Sequence, residues 1–470
     1  MSKKRQKKSL SHQELEEIQE QSEQQQRSRR GGRNALSELN KALDSATRAL
    51  TKGLIGGFGS ERWQSLTIPL FTITLSLIAI SVLVLSLGNN PLDVFTGLLA
   101  GAGWIPKPNY GGGQSQLTDL IGLSISLTPL LFGALGFVVA MRAGLFNIGI
   151  AGQMVLAGFA ATVVVGYSSL PALIARPLAL VVGAVVGAAA GALIGLLKHR
   201  FNIHEVVSSI MLNNIFIHAV SYFIKAYYLD PVSRNAVAAS AEARLLTEPV
   251  QFGEVSARLP VGFLVAIAMA FVLWFFLTKT KQGFEMSAVG KSPKAAEYAG
   301  IKIGRTVIFA MAISGAMGGL AGVTHYLANV PAMAPDVLPA LGFDSIAVAF
   351  LGVVHPLGAI LAATLIATLS SGAVYMGSVA GVRHEIASVI TGLILLFAAC
   401  GGFLRAWLDT KKRTLADEDV QSAESDSSSV ISTPPVIPDL TRDPDAEQSL
   451  STPTEKATAP QPEEKGGDAP

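Results

Sequence analysis

The sequence contains little cysteine and little charge, and both shortages narrow the class of protein. One cysteine, Cys400, stands among 470 residues, which excludes a disulfide framework and a cysteine metal site. Charged residues make up only 15% of the chain, whereas soluble domains carry roughly 25%. With 50% hydrophobic residues, the chain cannot bury its apolar side chains in one water-soluble core. The net charge of +2 is too small to indicate a nucleic-acid partner. The composition therefore predicts a membrane protein that crosses the bilayer several times.

Polar residues are concentrated at the two ends of the chain. Residues 1–64 carry clusters of Lys and Arg around a Gln- and Glu-rich stretch. A cleaved secretory signal would place its apolar segment directly after the first cluster, so we expect a solvated cytoplasmic extension ahead of a signal anchor. The basic clusters could also touch anionic lipid or nucleic acid. Residues 409–470 are rich in Ser, Thr, Pro, Asp and Glu and predict a disordered cytoplasmic tail.

Long apolar runs between the ends predict an all-α, polytopic membrane domain over residues 65–408. A helix needs about 20 apolar residues to cross a hydrocarbon layer about 30 Å thick. With the amino terminus inside, most Lys and Arg fall in inner segments, as membrane topology favours. An even number of crossings keeps Arg405 inside, and 343–354 is then a partial or broken span buried in protein. We therefore expect about ten spans and a cytoplasmic location for both termini. The candidates are 65–87, 118–140, 146–167, 177–197, 205–224, 260–277, 306–328, 343–354, 357–375 and 385–404.

Two of these spans carry small residues at four-residue spacing. Small residues in such rows let helix backbones approach closely. We therefore interpret the rows as packing devices that say nothing about a substrate. They are Gly183, Gly187, Gly191 and Gly195 in one span, and Ser314, Gly318 and Gly322 beside Gly315 and Gly319 in the other.

Ionisable residues are scarce inside the predicted spans, which argues against proton- or sodium-driven transport. We interpret His218 and His325 as histidines hydrogen-bonded to a neighbour. The spans contain no paired carboxylates, metal-spaced histidines or Ser/His pair, so we expect no catalytic residue, metal or cofactor. Lys291 follows a glycine and precedes a serine, but Glu285 stands where a phosphate loop needs glycine. Energy for pumping would have to come from another chain.

Three glycines, an asparagine and a glutamine occur within 143–154, where a span should begin. Glycine at this density disrupts a helix and frees backbone groups, which a membrane tolerates only where protein or a water-filled cavity satisfies them. Broken helices in transporters line substrate paths for this reason. Two interpretations stay open: the stretch lines a path, or it is a re-entrant turn that only packs. The candidate path residues here are Asn147, Gly149, Gly152 and Gln153.

A second polar cluster begins the span 205–224. We expect His204 and Glu205 at the membrane interface. Asn213 and Asn214 should face other helices and form hydrogen bonds across them, with substrate contact as the alternative role.

The inner segment 278–305 predicts a short helix on the cytoplasmic face. Ser292 and Pro293 form a helix start, and Gly300 forms a stop. Alanines on this helix leave a slim surface that could fit a groove on a partner chain. The residues of this expected docking loop are Gly283, Ala288, Gly290, Ser292, Pro293, Ala295, Ala296 and Gly300.

These three stretches together resemble the permease subunits of ABC importers of the simple-sugar and nucleoside type. That broad family also serves ribose, galactose and branched-chain amino acids. The likeness extends in particular to nucleoside permeases that work with a Bmp-type lipoprotein receptor, and it covers about residues 65–408. Residues 143–154 resemble the motif AGLFNIGxEGQM, residues 204–213 resemble HEVxxxIMLN, and residues 283–301 resemble G…AVGxNPxAAxYAGI.

The resemblance implies a type II-like ABC importer permease bundle that moves a nucleoside or simple-sugar-like solute across a bacterial plasma membrane. It implies that the loop 283–301 docks on a separate ATPase subunit, whose cycle switches the bundle between outward and inward openings. It also implies a heterodimer with a second related permease and an extracytoplasmic lipoprotein that binds the solute. Membrane lipid is the remaining expected partner, and nucleic acid is not expected.

Two positions depart from the family motifs. Ala151 replaces a glutamate, which bears on the substrate class more than on the fold, and Ser292 replaces an asparagine but can still cap a helix. The alternative function is an ATP-independent carrier or channel for a small polar solute.

Overall fold

The structure is a computed structural model that describes residues 61–381 apart from short gaps, and scattered positions between 386 and 410. The chain divides into two units, Met1–Lys411 and Lys412–Pro470, and every described residue belongs to the first. The expected polar ends and most of the expected span 385–404 lie outside the described residues.

Twelve α-helices among the described residues are numbered in chain order. The helices are α1 (Glu61–Ser86), α2 (Pro91–Gly101), α3 (Gln116–Arg142), α4 (Ile150–Ala161), α5 (Ala172–Phe201), α6 (Glu205–Phe223), α7 (Val261–Lys279), α8 (Lys281–Lys291), α9 (Pro293–Tyr298), α10 (Ile303–Thr324), α11 (Leu341–Leu351) and α12 (Pro356–Ala380).

Most of the expected spans are present as apolar helices. Within the described residues, six helices are long and apolar enough to cross a membrane, and a bent pair can add a seventh. The six are α3, α5, α6, α7, α10 and α12. The expected spans 146–167 and 343–354 appear as shorter apolar helices. The helical, membrane-spanning fold class is confirmed, while the described residues do not reach the expected count of about ten spans.

The second helix, α2, is absent from the spans predicted from the sequence, which leave 88–117 as a loop. The second half of α1, Thr74–Ser86, is bent by 116° relative to α2. Asn90 starts α2, because its side chain accepts a hydrogen bond from the backbone N–H of Leu92 at 3.0 Å. Gly101 then lets α2 lie directly on α12, since a Cβ there would be 2.8 Å from the Cα of Gly372.

α5 and α10 lie in direct backbone contact. A Cβ on Gly187 would overlap the carbonyl oxygen of Gly315, and a Cβ on Gly315 would overlap that of Gly187. Gly191 and Gly319 continue the same seam along the two helices. The glycine rows therefore bring two backbones into direct contact, as their spacing predicts.

The other small-residue row of α10 packs against α3 and α4. A Cβ on Gly136 of α3 would lie 2.7 Å from the carbonyl oxygen of Ser314. A Cβ on Gly318 would lie 2.7 Å from Oε1 of Gln153 in α4. α10 is therefore enclosed on two sides, and shifts at its start or its end are transmitted to several neighbours.

A loop covers one end of the bundle, where α4, α6 and α10 each finish in a π-helical turn. These turns are Thr162–Gly166, Ile224–Tyr228 and His325–Asn329. The loop between α6 and α7 is tied to them, since the N–H of Ser240 donates to the oxygen of Gly166 at 2.7 Å. Two short antiparallel strands, β1 (Val250–Phe252) and β2 (Val255–Ala257), form the only sheet among the described residues.

Candidate functional site

The polar side chains of the stretch 143–154 form one buried network. Asn147 and Gln153 are 0% exposed. Nδ2 of Asn147 donates to Oγ of Ser314 at 2.8 Å and to Oε1 of Gln153 at 3.2 Å. Its Oδ1 accepts from the N–H of Gly149 at 2.9 Å. This asparagine thus satisfies the broken backbone before α4 and fastens it to α10.

Asn213 performs the same task from α6. Its Oδ1 accepts from the N–H of Gly152 at 2.9 Å, and its Nδ2 donates to the oxygen of Ile148 at 3.0 Å. A Cβ on Gly152 would come within 2.5 Å of that Oδ1, so the missing side chain makes room for the asparagine. The predicted hydrogen bond across helices is confirmed for Asn213.

Asn214 lies apart from this network. Its side chain is exposed, and its Nδ2 donates to the oxygen of Ile210 in its own helix at 2.9 Å. The other candidate path residues, Asn147, Gly149, Gly152, Gln153 and Asn213, are buried against one another. In this conformation those five residues pack the start of α4 against its neighbours.

The position that departs from the family motif, Ala151, lies beneath α11. It is 0% exposed, and a Cβ on Gly342 would be 2.5 Å from its Cα. The absence of a side chain on Gly342 is what allows α11 to approach Ala151 this closely. Alanine in place of glutamate at position 151 therefore coincides with tight packing of α11 on α4.

Replacing Asn147 by alanine should lower the thermal stability of the purified protein, because three buried polar groups lose a partner. The expected cost is about 2–4 kcal/mol. Asn214→Ala is the matched control, since it removes the same amide from an exposed position. Thermal unfolding in detergent measures both, and equal midpoints for the two variants would contradict the structural role of Asn147.

The turn between α5 and α6 is closed by an ion pair. Nζ of Lys198 donates to Oε2 of Glu205 at 2.6 Å, and Glu205 is buried. Nδ1 of His204 accepts from the N–H of Val206 at 3.3 Å and caps α6. These groups fix the start of α6, which carries Asn213.

The docking loop contains the short helix predicted from the sequence, α9. Oγ of Ser292 accepts from the N–H of Ala295 at 3.4 Å. Pro293 occupies the first helical position, and Gly300 follows the helix with φ +78°. The sequence did not lead us to expect α8, which precedes α9. Gly283 lets α8 fold back on α7, since a Cβ there would be 2.7 Å from the Cα of Leu277.

The exposed surface of α9 differs from the alanine surface expected from the sequence. Ala296 is only 3% exposed and belongs to the core, so it is not available to a partner. Gly290 is also an internal contact, because a Cβ there would be 2.8 Å from the backbone nitrogen of Gly144. Ala295 is exposed, and Tyr298, which the sequence interpretation missed, is 94% exposed. Tyr298 follows Ala295 by three residues, which places the two side chains on the same face of a helix. This spacing could have identified Tyr298 from the sequence.

Within the described part of the chain, one face of α6 and of the π-helical turn that follows it carries exposed polar side chains. Asn214, His218, Tyr222 and Lys225 recur at helical spacing and are all exposed; we call them the polar stripe. The exposed residues between 262 and 277 on α7 are apolar throughout. Exposed apolar residues such as Met211 and Ile215 lie beside the polar stripe on α6, so α6 differs from α7 in carrying exposed polar side chains next to apolar ones.

An ion cluster ends the polar stripe. Lys225 pairs with Asp336, and Nδ1 of His218 lies 3.7 Å from Oδ1 of Asp336. The N–H of Asp336 donates to Oγ of Ser221 at 2.7 Å, which holds this residue on α6. The hydrogen bond from Lys225 holds the pKa of the Asp336 carboxyl below its usual value. His218 therefore belongs both to the polar stripe and to this ion cluster with Lys225 and Asp336.

A bundle of apolar helices of membrane-spanning length, with exposed polar side chains on one of them, fits the membrane-spanning part of a transporter. Among the described residues, no group of three His, Cys, Asp or Glu side chains could hold a metal ion. The chain belongs to the family described as "Branched-chain amino acid transport system / permease component", whose profile matches residues 120–399. It is therefore a permease component of a transport system.

Several curated proteins are similar to this chain over most of their length. The guanosine ABC transporter permease protein NupP of Bacillus subtilis (strain 168) is 34% identical over 350 residues, covering 73% of this chain and 96% of NupP. The nucleoside ABC transporter permease protein NupB of Lactococcus lactis subsp. cremoris (strain MG1363) is 31% identical, covering 76% of this chain and 97% of NupB. The glucose ABC transporter permease protein TsgB13 of Haloferax volcanii is 25% identical, covering 73% and 90%.

Proposed function

We propose that this permease imports a nucleoside or a related sugar-containing solute, driven by a separate ATPase subunit. The observation that carries the proposal is the polar stripe on α6. The names of the similar proteins NupP and NupB supply the solute class, while TsgB13 supports a simple sugar as the second candidate.

The polar stripe lies at membrane depth. At 1.5 Å per residue, Asn214 and His218 are about 14 and 20 Å from Glu205 at the start of α6, close to the middle of a layer about 30 Å thick. Polar side chains at that depth face protein or a water-filled cavity, because lipid cannot satisfy them. The stripe therefore faces a second permease across a path for a polar solute.

The chemistry of the stripe suits a neutral solute with many hydrogen-bonding groups. An amide, an imidazole and a phenol offer both donors and acceptors, as the hydroxyls of a ribose and the edge of a base require. At its end, the charges of Lys225 and Asp336 are paired with each other. Ion coupling therefore gains no support, and an external power source is needed.

The ATPase subunit contacts the permease at the docking loop. Tyr298 and Ala295 present an exposed edge of α9 to the ATPase subunit. Behind them, Gly290 contacts Gly144, whose φ of +70° forms the turn before Asn147. A displacement of α8 and α9 is thus transmitted through this turn to the network that fastens α4 to α10.

The remaining partners and boundaries follow from the same proposal. Residues 65–408 form the permease domain in a bacterial plasma membrane, flanked by cytoplasmic extensions 1–64 and 409–470. A second related permease completes the path, and an extracytoplasmic lipoprotein delivers the solute. The chain itself hydrolyses no ATP.

Thiol labelling tests the polar stripe. Because Cys400 is the only cysteine, Cys400→Ser gives a cysteine-free background. In the assembled transporter, His218→Cys and Asn214→Cys should react with a membrane-impermeant thiol reagent at least about tenfold faster than Phe271→Cys on the apolar face of α7, since thiols facing lipid are shielded from water. Added nucleoside should slow the reaction at the stripe.

The matched control is a second apolar position on α7, Phe275→Cys, which is exposed in the same way as Phe271. Equal labelling of the α6 and α7 positions in folded protein would contradict the proposed path.

A further inference from the structure

A cavity of ≈ 870 Å³ lies at the end of the bundle that carries α8 and α9. Its walls are the last turn of α5, the first turns of α8 and α10, and the connection between α9 and α10. His199 forms one edge and lies directly on α10, since a Cβ on Gly304 would overlap the imidazole ring. The cavity is separate from the polar stripe and from the buried asparagine network.

Basic groups surround the mouth of the cavity. Lys281, Lys302 and Arg305 contribute three positive charges against one carboxylate, that of Glu285. Nζ of Lys281 lies 3.8 Å from Oε1 of Glu285, and both side chains are on α8. In the described part of the chain, Lys302 and Arg305 form no ion pair. The mouth therefore attracts an anion.

Apolar side chains continue from the basic mouth along α10. Ile308, Phe309 and Ala312 follow Arg305 at helical spacing on one face, over about 10 Å of helix. Phe309 is 39% exposed, so the apolar wall is open to a ligand. The ligand that matches this order of charge and apolar surface is itself amphipathic.

We propose that this cavity binds an anionic phospholipid, with its phosphate between Lys302 and Arg305 and an acyl chain along Ile308, Phe309 and Ala312. A zwitterionic lipid offers the same phosphate, but its own cation opposes the basic mouth. The bound lipid fastens the docking loop to α10. The inference rests on the membrane location of α10 and is independent of the solute under Proposed function.

Fluorescence quenching tests the proposal with the purified full-length chain, without the ATPase subunit. In a background with the four native tryptophans replaced by phenylalanine, Phe309→Trp places the only tryptophan of the chain in the cavity. Phosphatidylglycerol with brominated acyl chains should then bind about tenfold more tightly than brominated phosphatidylcholine. Lys302→Gln with Arg305→Gln should reduce this preference to within about twofold. Lys291→Gln with Lys294→Gln, on the same loop but outside the cavity, should leave it unchanged.

Three results would overturn the proposal: equal quenching by the two lipids, a preference that survives Lys302→Gln with Arg305→Gln, or displacement by millimolar inorganic phosphate, which would assign the site to a free anion. Thermal unfolding of the native sequence provides a second measurement that needs no reporter. Phosphatidylglycerol should raise its midpoint more than phosphatidylcholine does, and identical shifts would also contradict the proposal. Loss of nucleoside transport has no bearing on these readouts.

Discussion

Gly187→Leu is expected to prevent the bundle from assembling. A Cβ alone would overlap the carbonyl oxygen of Gly315 and lie 2.7 Å from the Cα of Gly319. Gly315 meets Gly187 in the same way from the other side, so neither backbone can move without separating α5 from α10. Overpacking of a core usually costs about 1–3 kcal/mol, and a leucine pressed on backbone should exceed this range.

Ala189→Leu is the matched control for Gly187→Leu. It adds side-chain carbons to the same helix two residues further on, at an exposed position. Size-exclusion chromatography of the detergent-solubilised protein should recover Ala189→Leu as a single peak and Gly187→Leu mainly as aggregate. Equal recovery of the two variants would show that the α5–α10 seam does not hold the bundle together.

Tyr298→Ala is expected to reduce capture of the ATPase subunit and ATP-driven uptake by at least about tenfold, because exposed aromatic anchors carry much of the binding energy of protein interfaces. Its thermal midpoint should stay unchanged, since the side chain is 94% exposed and supports no packing. Tyr298→Phe should retain most of the capture. Copurification of the ATPase subunit and uptake by proteoliposomes measure the two effects.

Phe201→Ala is the matched control for Tyr298→Ala, because it removes an exposed aromatic ring at the end of α5, outside the docking loop. Bulky residues at Gly290 or Ala296 would be poor tests, since both positions are internal contacts and their variants would disturb folding. Undiminished capture by Tyr298→Ala would remove α9 from the docking surface.

Local signals were sufficient to predict parts of the candidate site. Ser292, Pro293 and Gly300 define α9 because capping and the fixed φ of proline act within a few residues. The small-residue rows predict the α5–α10 contact because their spacing places glycines on one face of each helix. The bond from Asn213 to the start of α4 followed from the cost of an unsatisfied amide in a membrane.

Other features depend on tertiary contacts that a single sequence does not reveal. The rotation of α9 against α10 decides that Ala296 is buried and Tyr298 exposed. The polar stripe is visible as spacing, but its importance depends on one face of α6 remaining uncovered. α2 was not predicted, because its 11 residues are too few to cross a membrane. Asn90 and Pro91 nevertheless mark the start of a helix.

Uptake of a radiolabelled nucleoside by proteoliposomes tests the central claim most directly, namely that this permease is driven through its docking loop by another subunit. Vesicles containing the chain, a second permease, the ATPase subunit and the receptor should accumulate nucleoside only when ATP is supplied, and Tyr298→Ala should lower that accumulation by at least about tenfold. Vesicles containing this chain alone should accumulate none. Concentrative uptake by the chain alone, without ATP, would contradict the claim.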